Sequence, residues 1–301
     1  MKDVSQWDRI GWHGITFDVP ADWCPGRVEG DFANGYMRVE DELRVRLEVK
    51  WETARGAPPE ASRLVDNYLR QARKKLRRQE PEPRIDRGRY VPALADVDHE
   101  AFTWRGSFNA HSLLLVAPSS NRIVHIRVFF DAGDEQRALT RRIFSSVRAE
   151  PVDGRDEWAA FGLRFKVEST WRLDQSALRT GCLQFLFRNG ADELEVVRLS
   201  LAEMVLRKRG LEDWFAEFFA KQLRGFAFET QPWDRQGEEG IRCSGLLRRR
   251  ARPLGLLRGR RYLDAVAWHC RQNDKLHAVR LVSGSADDPR LAACAESIRC
   301  H

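Results

Sequence analysis

The chain has 301 residues, 43% hydrophobic and 32% charged, with a formal net charge of +7. That length accommodates two domains, each able to bury a core. The longest uncharged apolar stretch, Ser112 to Ser119, is too short to span a bilayer, and the opening Met1 to Gly14 lacks the apolar run of a secretory signal. The sequence expectation is therefore a cytoplasmic protein without membrane insertion.

Taken in chain order, Phe17 and Val19 alternate with Thr16 and Asp18, a half-buried strand closed by Pro20 and Trp23. Glu40-Asp41-Glu42 fits a hairpin turn. Beyond it, Val45, Leu47, Val49 and Trp51 alternate with charged residues, a strand with one wet face. Leu64, Val65, Tyr68, Leu69, Ala72 and Leu76 recur at helical spacing, and Pro81 and Pro83 end that helix. Three strands are expected over 97–104, 112–117 and 122–130, then a helix from about Asp134 to Val147.

The second half repeats this order. The pattern G-[IL]-x-F-x-V-x3-W occurs from Gly14 to Trp23 and again from Gly162 to Trp171. Leu47-Glu48-Val49 is matched by Leu194-Glu195-Val196, Asp134-x2-Arg137 by Asp287-x2-Arg290, and Ser146-Val147 by Ser297-Ile298. Asn189-Gly190 signals a hairpin. One helix is expected through Leu211, Trp214, Phe215, Phe218, Phe219 and Leu223, with Pro232 after it. Strands near 240–247, 261–271 and 275–283 and a last helix over 287–298 complete the copy. The fold expectation is α+β: two tandem copies, residues 1–150 and 151–301, of a mainly antiparallel sheet flanked by helices.

A first strand of the form Phe17-x-Val19-Pro20-x-x-Trp23, a central amphipathic helix, returning strands and a terminal helix ending in Ser146-Val147 resemble the PsbP-like fold. Photosystem II extrinsic proteins, a Ran-binding nuclear transport factor, DcrB lipoproteins and type VI effector chaperones share it. In the second copy the proline is replaced, by Ser169 on this reading. The resemblance implies a binding or assembly factor, adaptor or chaperone-like, rather than an enzyme, and carries no functional residue onto this chain.

Two basic clusters are candidate partner- or anion-binding surfaces. Arg63, Arg70, Lys74 and Arg77 fall at intervals of seven, four and three, opposite the apolar stripe of the first helix, with Lys75 and Arg78 beside them. Arg248, Arg249, Arg250, Arg252, Arg258, Arg260 and Arg261 crowd one connection of the second copy, where forked guanidinium donors suit phosphate or carboxylate. The expected partner is a protein with an acidic surface or hydrophobic segment, acting on a pseudo-dimeric pair of repeats. Nucleic acid on the arginine clusters is the alternative, and an enzyme of unrecognised type the third reading. Histidines are scattered without metal spacing, and no P-loop, G-x-S-x-G or G-x-G-x-x-G occurs in context, so no metal, cofactor or catalytic residue is assigned. The six cysteines, Cys24 and five in the second half, read as reduced thiols.

Overall fold

Alternating apolar side chains generate strands through most of this computed structural model, which describes residues 6–75, 82–88, 94, 97–248 and 260–299. The chain divides into two compact units, Met1–Gly162 and Leu163–His301. The division falls after the expected 150/151 boundary because a strand at 155–160 joins the first unit, where Ala159 faces Gly11.

In the first unit, β1 (Trp7–Trp12) and β2 (Ile15–Pro20) form a hairpin. His13 and Gly14 turn it with φ of 50° and 75°, the paired positive values that a type I′ turn requires. β3 (Cys24–Gly30), β4 (Asn34–Glu40) and β5 (Val45–Thr53) follow, then α1 (Ala61–Lys75), β6 (Arg84–Arg87), β7 (Asp98–Arg105), β8 (Asn109–Ala117), β9 (Arg122–Phe129), α2 (Arg137–Ser146) and β10 (Arg155–Ala160). A seven-stranded antiparallel sheet has the order β3-β4-β5-β9-β8-β7-β6. Leu47, Val49, Val124, Ile126 and Val128 bury one of its faces, and Val65 and Leu69 of α1 pack on Phe102, Trp104 and Leu114 on the other.

The second unit runs β11 (Leu163–Glu168), β12 (Arg172–Arg179), β13 (Cys182–Asn189), β14 (Asp192–Ser200), α3 (Ala202–Leu206), α4 (Leu211–Phe218), α5 (Ala220–Leu223), β15 (Phe226–Arg235), β16 (Glu238–Leu247), β17 (Tyr262–Cys270), β18 (Lys275–Ser283) and α6 (Pro289–Ser297). Its sheet has the order β12-β13-β14-β18-β17-β16-β15, the same connectivity as the first. Trp214, Phe215 and Phe219 bury against Val197, Ala265, Ala267 and Ala278.

Several hydrogen bonds recur at matched places. Ser146 Oγ accepts from the Asp18 amide (2.8 Å) and donates to the Ile143 carbonyl (2.6 Å). Ser297 Oγ does the same with Lys166 (2.8 Å) and Cys294 (2.6 Å). The next backbone step also matches: Thr16 exchanges hydrogen bonds with Arg148, and Arg164 with Arg299. The serine at each helix end thus ties it to β2 in the first unit and to β11 in the second, and the buried Val147 or Ile298 seals the join.

Trp7 and Trp12 lie in β1 and Trp158 in β10, where Trp12 and Trp158 meet edge to face at 5.3 Å. Three expectations from the sequence change. The helix through 211–223 is broken at Phe219 (φ −98°, ψ 15°) into α4 and α5. Pro232 does not stop a helix but lies inside β15, an edge strand, where a missing N–H is tolerated. The residue in the place of Pro20 is Glu168 rather than Ser169, since the Trp23 amide donates to the Pro20 carbonyl and the Trp171 amide to that of Glu168. Among the described residues no helix is long and apolar enough to cross a membrane, and Cys24, Cys182 and Cys243 are free thiols.

Candidate functional site

The amphipathic spacing of α1 fixes which of its side chains face water. Ala61, Val65 and Leu69 are buried, so Arg63, Arg70, Arg73 and Lys74 are exposed on the opposite side. The only acid in the helix sequence, Asp66, is taken by Arg87 at 2.7 Å, and Arg87 also holds Glu100 at 2.7 Å. Arg63 contacts Glu60 at 3.1 Å with both side chains largely in water, an ion pair of negligible strength. Arg70 reaches only the amide oxygen of Asn67, at 3.2 Å. Lys74 has no partner among the described residues. Among the described residues the row is thus met only by exposed acids at its borders, Glu60 beside Arg63 and Glu82 3.9 Å from Arg73, and it stands on the packed stripe beneath it. Arg77 lies outside the described residues, so the row is seen over Arg63, Arg70 and Lys74.

The second arginine cluster is placed only at its ends. Arg249, Arg250, Arg252 and Arg258 lie outside the described residues. Arg248 and Arg260 are exposed. Arg261 is engaged internally: it donates to Asp192 at 2.8 Å and to the Val282 carbonyl at 2.9 Å, and it also contacts the Ala191 carbonyl. That geometry ties the start of β17 to the β13–β14 turn.

A third feature is not apparent in the sequence. The end of β2, the β4–β5 turn and the start of α2 enclose an open groove of about 1020 Å³ in the first unit. Trp7, Trp23 and Leu139 contribute apolar walls, and Leu43 stands at its lip, 86% exposed. The turn bearing Leu43 is rigid. The Asp41 carboxylate accepts from the amides of Leu43 (2.9 Å) and Arg44 (2.8 Å) and also holds Arg46 at 2.5 Å, while Arg44 is paired with Asp131. At the mouth, Glu135 is bound by Arg137 (2.7 Å) and Arg105 (2.6 Å), which hold its carboxyl down to about 2. Arg142 lies 3.9 Å from the centre of the Trp7 ring. The one signal available from sequence is a leucine in an otherwise charged turn, Asp41-Glu42-Leu43-Arg44.

No family model matches the chain, the PsbP-like ones included, and no curated protein matches it. Among solved structures the chain is similar to immunity protein TplEi of T6SS from Pseudomonas aeruginosa. Its apo structure shares 10% identity, covers 99% of this chain and 98% of that one, and superposes with a TM-score of 0.40. The structure of the same protein complexed with "L" peptide gives 10% identity, 99% coverage of each chain and a TM-score of 0.37. A likeness this distant says nothing about what the present chain binds.

At the corresponding corner of the second unit a guanidinium of the chain lies beside the matching tryptophan. Arg290 lies 5.2 Å from the centre of the Trp171 ring and binds Asp288 at 2.6 Å and Asp192 at 2.7 Å. The hydrogen bonding that Arg290 donates to Asp288 is the main cause of a guanidinium pKa raised above its ordinary value, and Asp288 is correspondingly held below the usual carboxylate range. Asp288 also caps α6, accepting from the Arg290 amide at 3.1 Å, with Pro289 at the first helical position. In the first unit the matching helix starts from Gln136 in the left-handed region (φ 42°) with no side-chain cap, Arg137 turns to Glu135, and the guanidinium beside Trp23 is that of Arg46, at 6.0 Å.

Proposed function

We propose that this chain is a non-catalytic binding or assembly protein, adaptor or chaperone-like, built as two tandem copies of one α+β unit and recruiting an acidic protein partner through the outer face of α1. The observation that carries the reading is the row Arg63, Arg70 and Lys74: exposed, carried on a packed helix and, among the described residues, met only by the water-exposed Glu60, because Asp66 is already held by Arg87. A row of one charge sign steers association and selects a partner of the other sign. The two-copy reading is supported by the shared strand order and by the matched serine contacts at the two helix ends.

Charge reversal tests the reading. With Arg63→Glu, Arg70→Glu and Lys74→Glu combined, a labelled glutamate-rich peptide should bind at least roughly tenfold more weakly, with a flattened salt dependence and unchanged circular dichroism. Equal binding by the triple variant and the parent would refute it. A duplex DNA competitor that binds tighter than the peptide, through the same residues, would favour the nucleic-acid reading instead.

A further inference from the structure

We propose that the corner groove of the first unit is a docking site for an extended peptide segment in which arginine or lysine side chains flank a bulky apolar one. Three features of the groove converge on that chemistry, independently of the α1 face.

The first is its apolar content in a fixed frame. Leu43 is 86% exposed, yet its turn is held from both sides by Asp41 and by the Arg44–Asp131 pair. An exposed leucine on a rigid turn, beside Trp7, Trp23 and Leu139, offers contact area without an ordering cost on binding. A volume of about 1020 Å³ is the size of a site for several side chains, not of an ion site.

The second feature is charge. Of the acids lining the groove, Asp41 is held by Arg46 and Glu135 by Arg137 and Arg105. Asp22, Glu42 and Asp134 have no ion pair among the described residues, and the remaining cation, Arg142, lies on Trp7. Three uncompensated carboxylates therefore face one guanidinium, in a chain whose net charge is +7. The groove selects for cations against the trend of the whole molecule.

The third feature is an internal precedent. In the second unit the same combination of tryptophan and carboxylates is occupied by a guanidinium of the chain, Arg290 over Trp171 between Asp288 and Asp192. In the first unit Arg46, held by Asp41, lies 6.0 Å from the centre of the matching Trp23 ring, and the further acids of that corner, Asp22, Glu42 and Asp134, remain for an incoming cation. A guanidinium over an indole with carboxylates beside it is favourable by cation–π and charge-assisted hydrogen bonding together.

The test uses the full chain and a fluorescein-labelled octapeptide alternating arginine and leucine, with a glutamate–leucine counterpart as control. The arginine peptide should bind and the glutamate peptide should not. Combined Asp22→Asn, Glu42→Gln and Asp134→Asn should weaken binding about tenfold at physiological salt, and Leu43→Ser alone about threefold. The charge-reversed α1 variant should bind like the parent, which separates this site from the α1 face. Equal binding of both peptides would overturn the proposal, as would parental affinity in the triple variant and Leu43→Ser. Sedimentation showing a dimer that dissociates in the triple carboxylate variant would overturn it in a different way, by making a second copy the occupant.

Discussion

At the centre of each seven-stranded sheet a glutamate faces an arginine across neighbouring strands: Glu48 opposite Arg127 on β5 and β9, Glu195 opposite Arg280 on β14 and β18. Each glutamate has a third partner from the next strand, Tyr36 in the first unit (2.5 Å) and Gln184 in the second. The arrangement is shared, but its access to water is not. Side-chain exposure is 17% for both members of the first pair and 2% for both of the second. Arg127 lies against Phe108 and Phe129, whereas Arg280 has Phe219, at the break between α4 and α5, 6.0 Å away. Register placed the same chemistry twice, and the surroundings decide how dry it is.

That difference sets the largest expected effect. Glu195→Ala leaves the buried Arg280 guanidinium only the longer contact to Glu193, at 3.7 Å, and should cost about 3 kcal/mol. Glu48→Ala should cost about 1 kcal/mol, because water reaches Arg127. Denaturant unfolding gives the totals, and hydrogen exchange locates each loss in its unit. Equal losses in the two variants would mean that burial does not separate the pairs.

A buried histidine sharpens the comparison from another side. Where Trp51 faces Val124 in the first unit, Arg198 faces His277 in the second, at the matching register. His277 is fully buried, stacked on Trp268 at 5.1 Å. Burial lowers its pKa to about 3, helped by Arg198, Arg235 and Lys275. The unfolded chain takes up a proton near pH 6.5 and the native chain does not until about 3, so stability is full above 6.5 and falls as the pH drops through that window. The slope should approach about 1.4 kcal/mol per pH unit for this one group. His125 in the first unit, also pushed down to about 3 by burial, adds a similar share. His277→Leu should remove the second unit's share and leave that of His125; a pH profile unchanged by the substitution would show that His277 is not the group responsible.

What could be read from the sequence, and what could not, follows from how local each constraint is. The Gly-to-Trp motif, the strand bearing Leu47 and Val49 and the α1 stripe are periodic within a few residues, so they were legible. β3 was not: Cys24-Pro25-Gly26-Arg27 carries a register shift after Pro25, and no alternation survives it. β15 was hidden by Pro232, which an edge strand accepts and a central strand would not. The break at Phe219 was hidden because Trp214, Phe215, Phe218 and Phe219 keep helical spacing up to it. Arg63, Arg70 and Lys74 were visible as a row because one helix holds them. The groove was not, since Asp22, Glu42 and Asp134 are brought together only by the fold.

The smallest expected effect is the most direct test of whether the two units are one design used twice. Ser146 and Ser297 each end a helix, are half-buried, and bridge a strand amide to a carbonyl three residues back at identical distances. If their roles are equivalent, Ser146→Ala and Ser297→Ala should each cost about 1 kcal/mol. Each loss should be confined to its own unit. The amide of Asp18 should lose exchange protection in the first variant and that of Lys166 in the second, because each loses its only side-chain acceptor while the backbone exchange of Thr16 with Arg148, or of Arg164 with Arg299, holds the strand in place. Loss of protection at Asp18 without a matching loss at Lys166 would mean that the shared geometry conceals different energetics, and the tandem reading would then rest on strand order alone.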